Sequence, residues 1–294
     1  MPSIEINGAR FDYVDRGGGD PLVLVHGSAS DRRTWDGQLE ALGRNFHVIA
    51  YSRRYHWPNQ PTEPGDDYSM SEHLADLEAL IRRLDLSPAH LIGHSYGGFI
   101  CLLLASMHPE KVRSLVLIEP PVFPLVISIP PRARDILRLF LTKPRMAPAV
   151  AKFGIRGLAP AIAATRRGDR DEALRLLGSA ILGQGPFRRL SRERLAQARA
   201  NLIDAELLGS LFPPLTADQV RAVRCPVLLI TGDRSPPVLS HLTKELGRLL
   251  PNVERVGIVS ASHLVHEDEP SAFASTVLSF LAKPLADGPA VNRS

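Results

Sequence analysis

The sequence predicts a doubly wound, mostly parallel α/β sheet interrupted by a helical insertion. Short apolar runs end abruptly in small or polar residues, as buried parallel strands do. Stretches with helical apolar spacing lie between them, and the middle third of the chain has a different composition from the two ends. At 294 residues, with 44% hydrophobic and 22% charged residues, the chain sits near the globular average, which excludes disorder, collagen and coiled coil.

The first segment, Ile4 to Val14, alternates like a strand and reaches Gly17-Gly18-Gly19, read as a hairpin turn into the first long strand. That strand, Pro21 to Val25, runs into His26-Gly27, and a helix-like stretch from Thr34 to Arg44 precedes His47 to Ala50. Leu74, Leu77, Leu80, Ile81 and Leu84 fall on one face of a helix, with Ser69 and Glu72 spaced as a capping box at its start. Ala89 to Gly93 leads directly into His94-Ser95, Ser114 to Ile118 ends at Glu119, Pro226 to Thr231 ends at Gly232-Asp233, and Asn252 to Val259 precedes Ser260 to His263. Strands alternating with helices imply right-handed crossovers and a sheet covered on both faces, with ligands at the carboxyl ends of the strands.

Net charge is +4, but the segment 120–215 carries 16 Lys+Arg against 7 Asp+Glu and none of the ten histidines. Helical stretches are expected there over Pro131 to Leu141, Ala161 to Thr165, Asp171 to Leu182 and Arg192 to Leu208. The division predicted is a core over 1–119 and 216–284, an inserted helical unit over 120–215 and a frayed tail over 285–294. The basic residues are dispersed and lack interleaved aromatics, so no nucleic-acid partner is expected. No apolar stretch reaches the roughly 18 residues of a spanning helix. The start, Met1-Pro2-Ser3-Ile4-Glu5, has no basic region followed by an apolar stretch, which reads as a cytoplasmic chain. Cys101 and Cys225 lie in apolar surroundings, which fits buried thiols rather than a disulfide framework or a metal site. Oligomeric state is not legible.

Gly93-His94-Ser95-Tyr96-Gly97 matches G-x-S-x-G between an apolar strand and the apolar stretch Phe99 to Ala105. A tight strand-to-helix turn of this kind presents the central hydroxyl at the top of a sheet, beside the free N–H groups of a helix start. A serine is a weak nucleophile without a base. His263 is the expected base, ahead of its neighbour His266. A carboxylate must then hold the histidine in the right tautomer; Asp233 is preferred, because an acid after the next-to-last strand suits the order Ser, acid, His, and Glu119 is the alternative.

On these residues, together with His26-Gly27, Gly98 and Leu264, the chain resembles the α/β-hydrolase fold superfamily: serine-nucleophile hydrolases with a helical cap. The resemblance covers nearly everything outside the middle third. It implies an oxyanion hole made by the backbone N–H groups of Ser28 and Tyr96. It also implies a cap over 120–215 that roofs the serine and shapes an apolar pocket. Candidate substrate-binding residues are Trp35, His94, Phe123 and Phe140, with Leu125, Val126 and Phe153 as further wall candidates. Arginine enrichment in the cap fits a solvated outer face, the alternative being attraction of carboxylate-bearing substrates. Two departures stand out. Tyr51-Ser-Arg-Arg-Tyr-His-Trp-Pro-Asn59 replaces an Asp-x-Arg-Gly-x-Gly turn, and Ser262 stands where Gly often precedes the histidine. Because haloalkane dehalogenases and epoxide hydrolases of this fold use Asp as nucleophile, Ser95 argues against both activities.

The expectation is therefore a serine hydrolase of an apolar carboxylic ester or lactone of small to medium size, needing no metal and no cofactor. The alternatives are carbon–carbon bond hydrolysis or perhydrolase chemistry with the same triad, or a ligand receptor of the same fold.

Overall fold

A computed structural model of the chain describes residues 2–63, 65–202, 204–209 and 212–283. The tail expected over 285–294 lies outside the described residues. Eight strands form one sheet: β1 Ser3–Ile6, β2 Ala9–Arg16, β3 Asp20–Val25, β4 Phe46–Tyr51, β5 Ala89–His94, β6 Val112–Ile118, β7 Val227–Gly232 and β8 Val253–Ile258. Their spatial order is β1-β2-β4-β3-β5-β6-β7-β8. β2 runs antiparallel to β1 and β4, and every other pairing is parallel. The predicted fold class is therefore the observed one.

The N-terminal strand departs from expectation. It is a hairpin, split by Asn7 and Gly8 at φ 48° and 74°, an Asn-Gly turn of the kind that joins antiparallel strands. Gly17 to Gly19 then carries the chain over to β3 without pairing it to β2, whose partner is β4.

The core helices are α1 Asp36–Gly43, α2 Met70–Arg83 and α3 Tyr96–Met107. Ser69 accepts the amide of Glu72 at 3.3 Å, but the Glu72 carboxylate turns to Arg54 at 2.9 Å, so only half of the expected capping box forms. α3 is buried from Tyr96 through Ala105, as an all-round apolar helix must be, and this sets the position of Ser95 immediately before it.

Between β6 and β7 lies the predicted helical insert: α4 Ala133–Thr142, α5 Ala147–Phe153, α6 Ala159–Arg166, α7 Arg170–Leu182, α8 Gln184–Arg188, α9 Arg192–Ala200 and α10 Asp204–Leu208. A π-turn, Gly154–Leu158, links α5 to α6. The insert has its own apolar centre, with Ala161, Leu174, Leu177 and Leu202 among its members. The core resumes with α11 Ala217–Arg221, α12 Pro237–Leu249, α13 Val265–Asp268 and α14 Pro270–Leu281. Two apolar clusters, one on each face, hold the sheet: Leu77, Phe99, Leu103 and Leu242 on one side, Leu42, Trp35, Phe273 and Val277 on the other. None of the described helices is long and apolar enough to cross a membrane.

Candidate active site

Ser95 sits at φ 50°, ψ −119°, a strained conformation for a residue with a side chain. Two backbone hydrogen bonds hold it there: its amide donates to Ile118 O at 2.8 Å and its carbonyl accepts from Phe99 N at 3.1 Å. The glycines around it are dictated by close approach. A Cβ on Gly97 would lie 2.4 Å from Val25 O and 2.5 Å from His26 O, and one on Gly93 would lie 2.6 Å from the Cα of Gly98. The sheet end of β3 thus presses directly on the elbow.

The same packing brings the loop after β3 over the serine. A Cβ on Gly27 would meet Ser95 Cβ at 3.1 Å and His94 Nδ1 at 2.9 Å. Ser28 follows this contact directly, and Tyr96, the first residue of α3, has an amide with no acceptor inside the helix. Ser28 and Tyr96 are thus each one residue from this contact in the chain.

Arg53 supports this region from below, a role the unusual turn after β4 did not reveal. It is 1% exposed. Its Nε donates to His26 O and its Nη2 to Gly27 O, both at 3.1 Å, while its amide donates to His26 Nε2 at 2.8 Å. That last bond fixes the proton of His26 on Nδ1, which donates to Gly27 O at 2.8 Å. Burial, followed by the Arg53 charge, pushes His26 down to about 3, so the ring stays neutral. The Arg53 guanidinium also lies 4.6 Å from the ring centroid of Tyr96. One side chain therefore touches both sides of the elbow.

His263 is buried, and its Nδ1 donates to Glu119 Oε2 at 2.6 Å. Glu119 is 0% exposed and also accepts from Gly232 N at 3.1 Å and Ser235 Oγ at 2.9 Å. The expected acid, Asp233, is an exposed residue whose amide donates to Ile258 O at 3.2 Å. The carboxylate at the histidine is the alternative, Glu119. The reason is geometric: the register sets Ile118 beside Ile230 and Gly232 beside Ile258. The glutamate at the end of β6 reaches across the end of β7, and the β7 turn contributes donors to that carboxylate instead of an acid of its own.

Among the residues expected to bind substrate, His94 lies beside the histidine: its ring is 4.5 Å from that of His263 and its Nε2 donates to His263 O at 2.9 Å. Burial holds it neutral, well below the usual histidine range. Trp35 is fully buried and stacks on His266 at 4.3 Å, so it packs the core instead of lining a pocket. Phe140 projects to solvent from α4 at 46% exposure, because only Leu139 of that helix turns inward. Phe123 is buried against Phe153, with ring centroids 5.2 Å apart. His266, burial-shifted down to about 3, donates from Nε2 to Thr34 Oγ1 at 2.8 Å, since the single Thr34 proton goes to Glu267.

The insert grips the loop after β3 through one face of α9 and its C-terminal residue Asn201. Arg194 pairs with Glu267 at 2.9 Å and donates to Ala29 O at 3.3 Å. Gln197 and Asn201 donate to the two oxygens of buried Asp31 at 3.0 and 2.7 Å, and Asn201 accepts from Trp57 N at 2.8 Å. From α10, Glu206 accepts from Tyr68 at 2.6 Å and lies 3.6 Å from Arg53.

Comparison with known proteins accords with this architecture. The chain is 22% identical over 95% of its length to bifunctional epoxide hydrolase 2 of Sus scrofa, covering 55% of that protein. It is 27% identical to the sn-1-specific diacylglycerol lipase ABHD11 of Mus musculus over 89% of this chain and 80% of that one. The enol-lactonase structure from Burkholderia xenovorans LB400 superposes with a TM-score of 0.60 at 21% identity, over 96% of this chain and 100% of that one. The chain spans between 31% and 55% of the length of the first curated relatives it matches. The family model for the alpha/beta hydrolase fold matches residues 20–270. The chain belongs to the α/β-hydrolase fold family.

Proposed function

We propose that this protein hydrolyses a carboxylic ester or lactone through an acyl-enzyme on Ser95. His263 accepts the Ser95 proton at Nε2 as Oγ attacks the carbonyl. Its Nδ1–H remains on Glu119, which orients the ring and stabilises the imidazolium that forms. The amides of Ser28 and Tyr96 receive the developing oxyanion. Collapse expels the alkoxide, which takes the proton back from His263, and water activated by the same nitrogen then releases the acid. These steps use only side chains of the chain, backbone amides and water. The observation that carries the reading is the buried His263–Glu119 pair at 2.6 Å at the carboxyl end of the sheet, where Ser95 is held at φ 50°.

The relative named a diacylglycerol lipase fits acyl–oxygen cleavage. The one named an epoxide hydrolase fits less well, because a serine at the elbow forms an acyl ester rather than the alkyl ester that epoxide opening requires. The insert would act as the cap. The test is release of p-nitrophenol from acetate, butyrate and octanoate esters by the wild type and by Ser95→Ala. Release that depends on Ser95 supports the proposal, and release undiminished in the variant refutes it.

A further inference from the structure

A cavity of about 560 Å³ lies between the insert and the turn that joins β7 to α12, a size typical of small-molecule sites. Its walls include Ala149, Phe153, Leu176, Ala180 and Val238, and its polar lining is unusual: Lys152, Arg156, Arg175 and Arg234 contribute four positive charges, with no Asp or Glu. Arg175 is paired with Glu172 at 2.6 Å, and Arg234 donates to Ser260 Oγ at 3.2 Å. The side chains of Lys152 and Arg156 make no hydrogen bond or ion pair with any described residue.

Like charges gathered around a concave, low-dielectric wall raise the local potential and draw in anions. The cavity is one side chain removed from the His263–Glu119 pair, neither of whose members lines it. Ser235 lines it and donates to Glu119 Oε2 at 2.9 Å, the oxygen that His263 uses. Phe153 lines it and stacks on Phe123, four residues beyond Glu119. An apolar wall with a cationic rim, separated from the catalytic pair by Ser235, suits the far end of a hydrocarbon chain that carries an acyl carbonyl at one end and an anion at the other.

We propose that this cavity binds an anionic group, a carboxylate or a phosphate, at the end of the substrate remote from the scissile carbonyl. The inference rests on the ester-hydrolase reading above and narrows its substrate to anionic esters or lactones. Arg156 and Lys152 supply the charge, and the paired guanidinium groups of Arg175 and Arg234 retain free N–H donors for bidentate contact.

The experiment compares p-nitrophenyl butyrate with mono-p-nitrophenyl glutarate on the wild type and on the double variant Lys152→Gln/Arg156→Gln. Both side chains are exposed, so the fold should tolerate the change. Two charge-assisted contacts at an open site predict roughly a tenfold loss of kcat/KM for the glutarate ester, through KM, with butyrate changed less than about twofold. Calorimetric titration with free glutarate and with inorganic phosphate tells the two anions apart. At least one is expected to bind the wild type, to weaken in the variant and to inhibit competitively. Equal effects on both esters, non-competitive inhibition, or binding of neither anion would overturn the inference. If neither ester is hydrolysed, the hydrolase reading fails, while the titration still decides whether the cavity is an anion site.

Discussion

Replacing Glu119 by Gln tests the choice of acid at the level of individual protons. The buried carboxylate accepts three hydrogen bonds, from Gly232 N, Ser235 Oγ and His263 Nδ1. An amide offers one oxygen and one NH2. Gly232 N–H is a fixed donor at 3.1 Å from Oε1, so the amide oxygen settles there and its NH2 takes the place of Oε2, 2.6 Å from His263 Nδ1. Two donors cannot face each other at that distance. The His263 proton therefore moves to Nε2, where it blocks removal of the serine proton. A wrong tautomer of this kind costs on the order of 10³- to 10⁴-fold in kcat, about 4–5.5 kcal/mol. KM should change less than about threefold, because the buried side chain at 119 does not touch the substrate. Asp233→Asn, at an exposed position, should leave kcat within about twofold of wild type. Steady-state hydrolysis of p-nitrophenyl butyrate, with Tm recorded to confirm folding, reads both variants. Activity retained in Glu119→Gln and lost in Asp233→Asn would refute the assignment and restore the acid expected from chain order.

Four further outcomes follow from the same geometry. Ser95→Ala should abolish covalent labelling by a fluorophosphonate, read by intact mass, and labelling that persists elsewhere would displace Ser95 as nucleophile. Gly97→Ala places a methyl 2.4 Å from Val25 O and should cost about 3 kcal/mol or more, seen as a fallen Tm and soluble yield; unchanged values would contradict the tight elbow. Arg53→Met leaves the carbonyls of His26 and Gly27 without their donor and should lower kcat roughly 10- to 100-fold with little change in KM. Arg53→Lys should fail to rescue, since one ammonium cannot span both carbonyls and Tyr96; full rescue would reduce the residue to simple charge. Burial lowers His26 and His266 to about 3 and His90 to about 4, and holds His56, His73 and His94 well below their usual range. These groups bind protons in the unfolded chain first, so stability present above pH 6.5 is lost as pH falls toward those values. Each contributes up to about 1.4 kcal/mol per pH unit. Cooperative unfolding with uptake of several protons between pH 6 and 4 is the expected calorimetric result, and a flat stability profile over that range would overturn it.

The elbow was legible because its requirement is local: glycine spacing between an apolar strand and an apolar helix is written into five consecutive residues. His263 was legible as a polar residue at a strand end. The acid was not settled, since Glu119 and Asp233 both end strands. The choice between them depends on inter-strand register, on the reach of one extra methylene and on the donors Gly232 N and Ser235 Oγ, and sequence order encodes none of these. The turn holding Arg53 is legible as unusual and suited to packing, but the partners of its guanidinium are not, because the carbonyls that bury it are brought together only by β3 and β4. Trp35 and Phe140 failed as pocket residues because an aromatic identity does not tell which face of an element points inward. The Asn7-Gly8 turn, by contrast, is local: an Asn-Gly pair inside the alternating segment Ile4 to Val14.

The hold of α9 on Ala29, Asp31 and Trp57 makes the helical insert and the loop after β3 parts of one mechanical unit. On the proposed reading, lifting the insert to admit a substrate would break these bonds and release the loop that carries Ser28, so the entrance and the catalytic machinery would work as an interlock. On that reading the protein would be competent only while shut, and esters too large to be enclosed would be refused at the barrier as well as at the door, so that selectivity by size would appear in kcat as much as in KM.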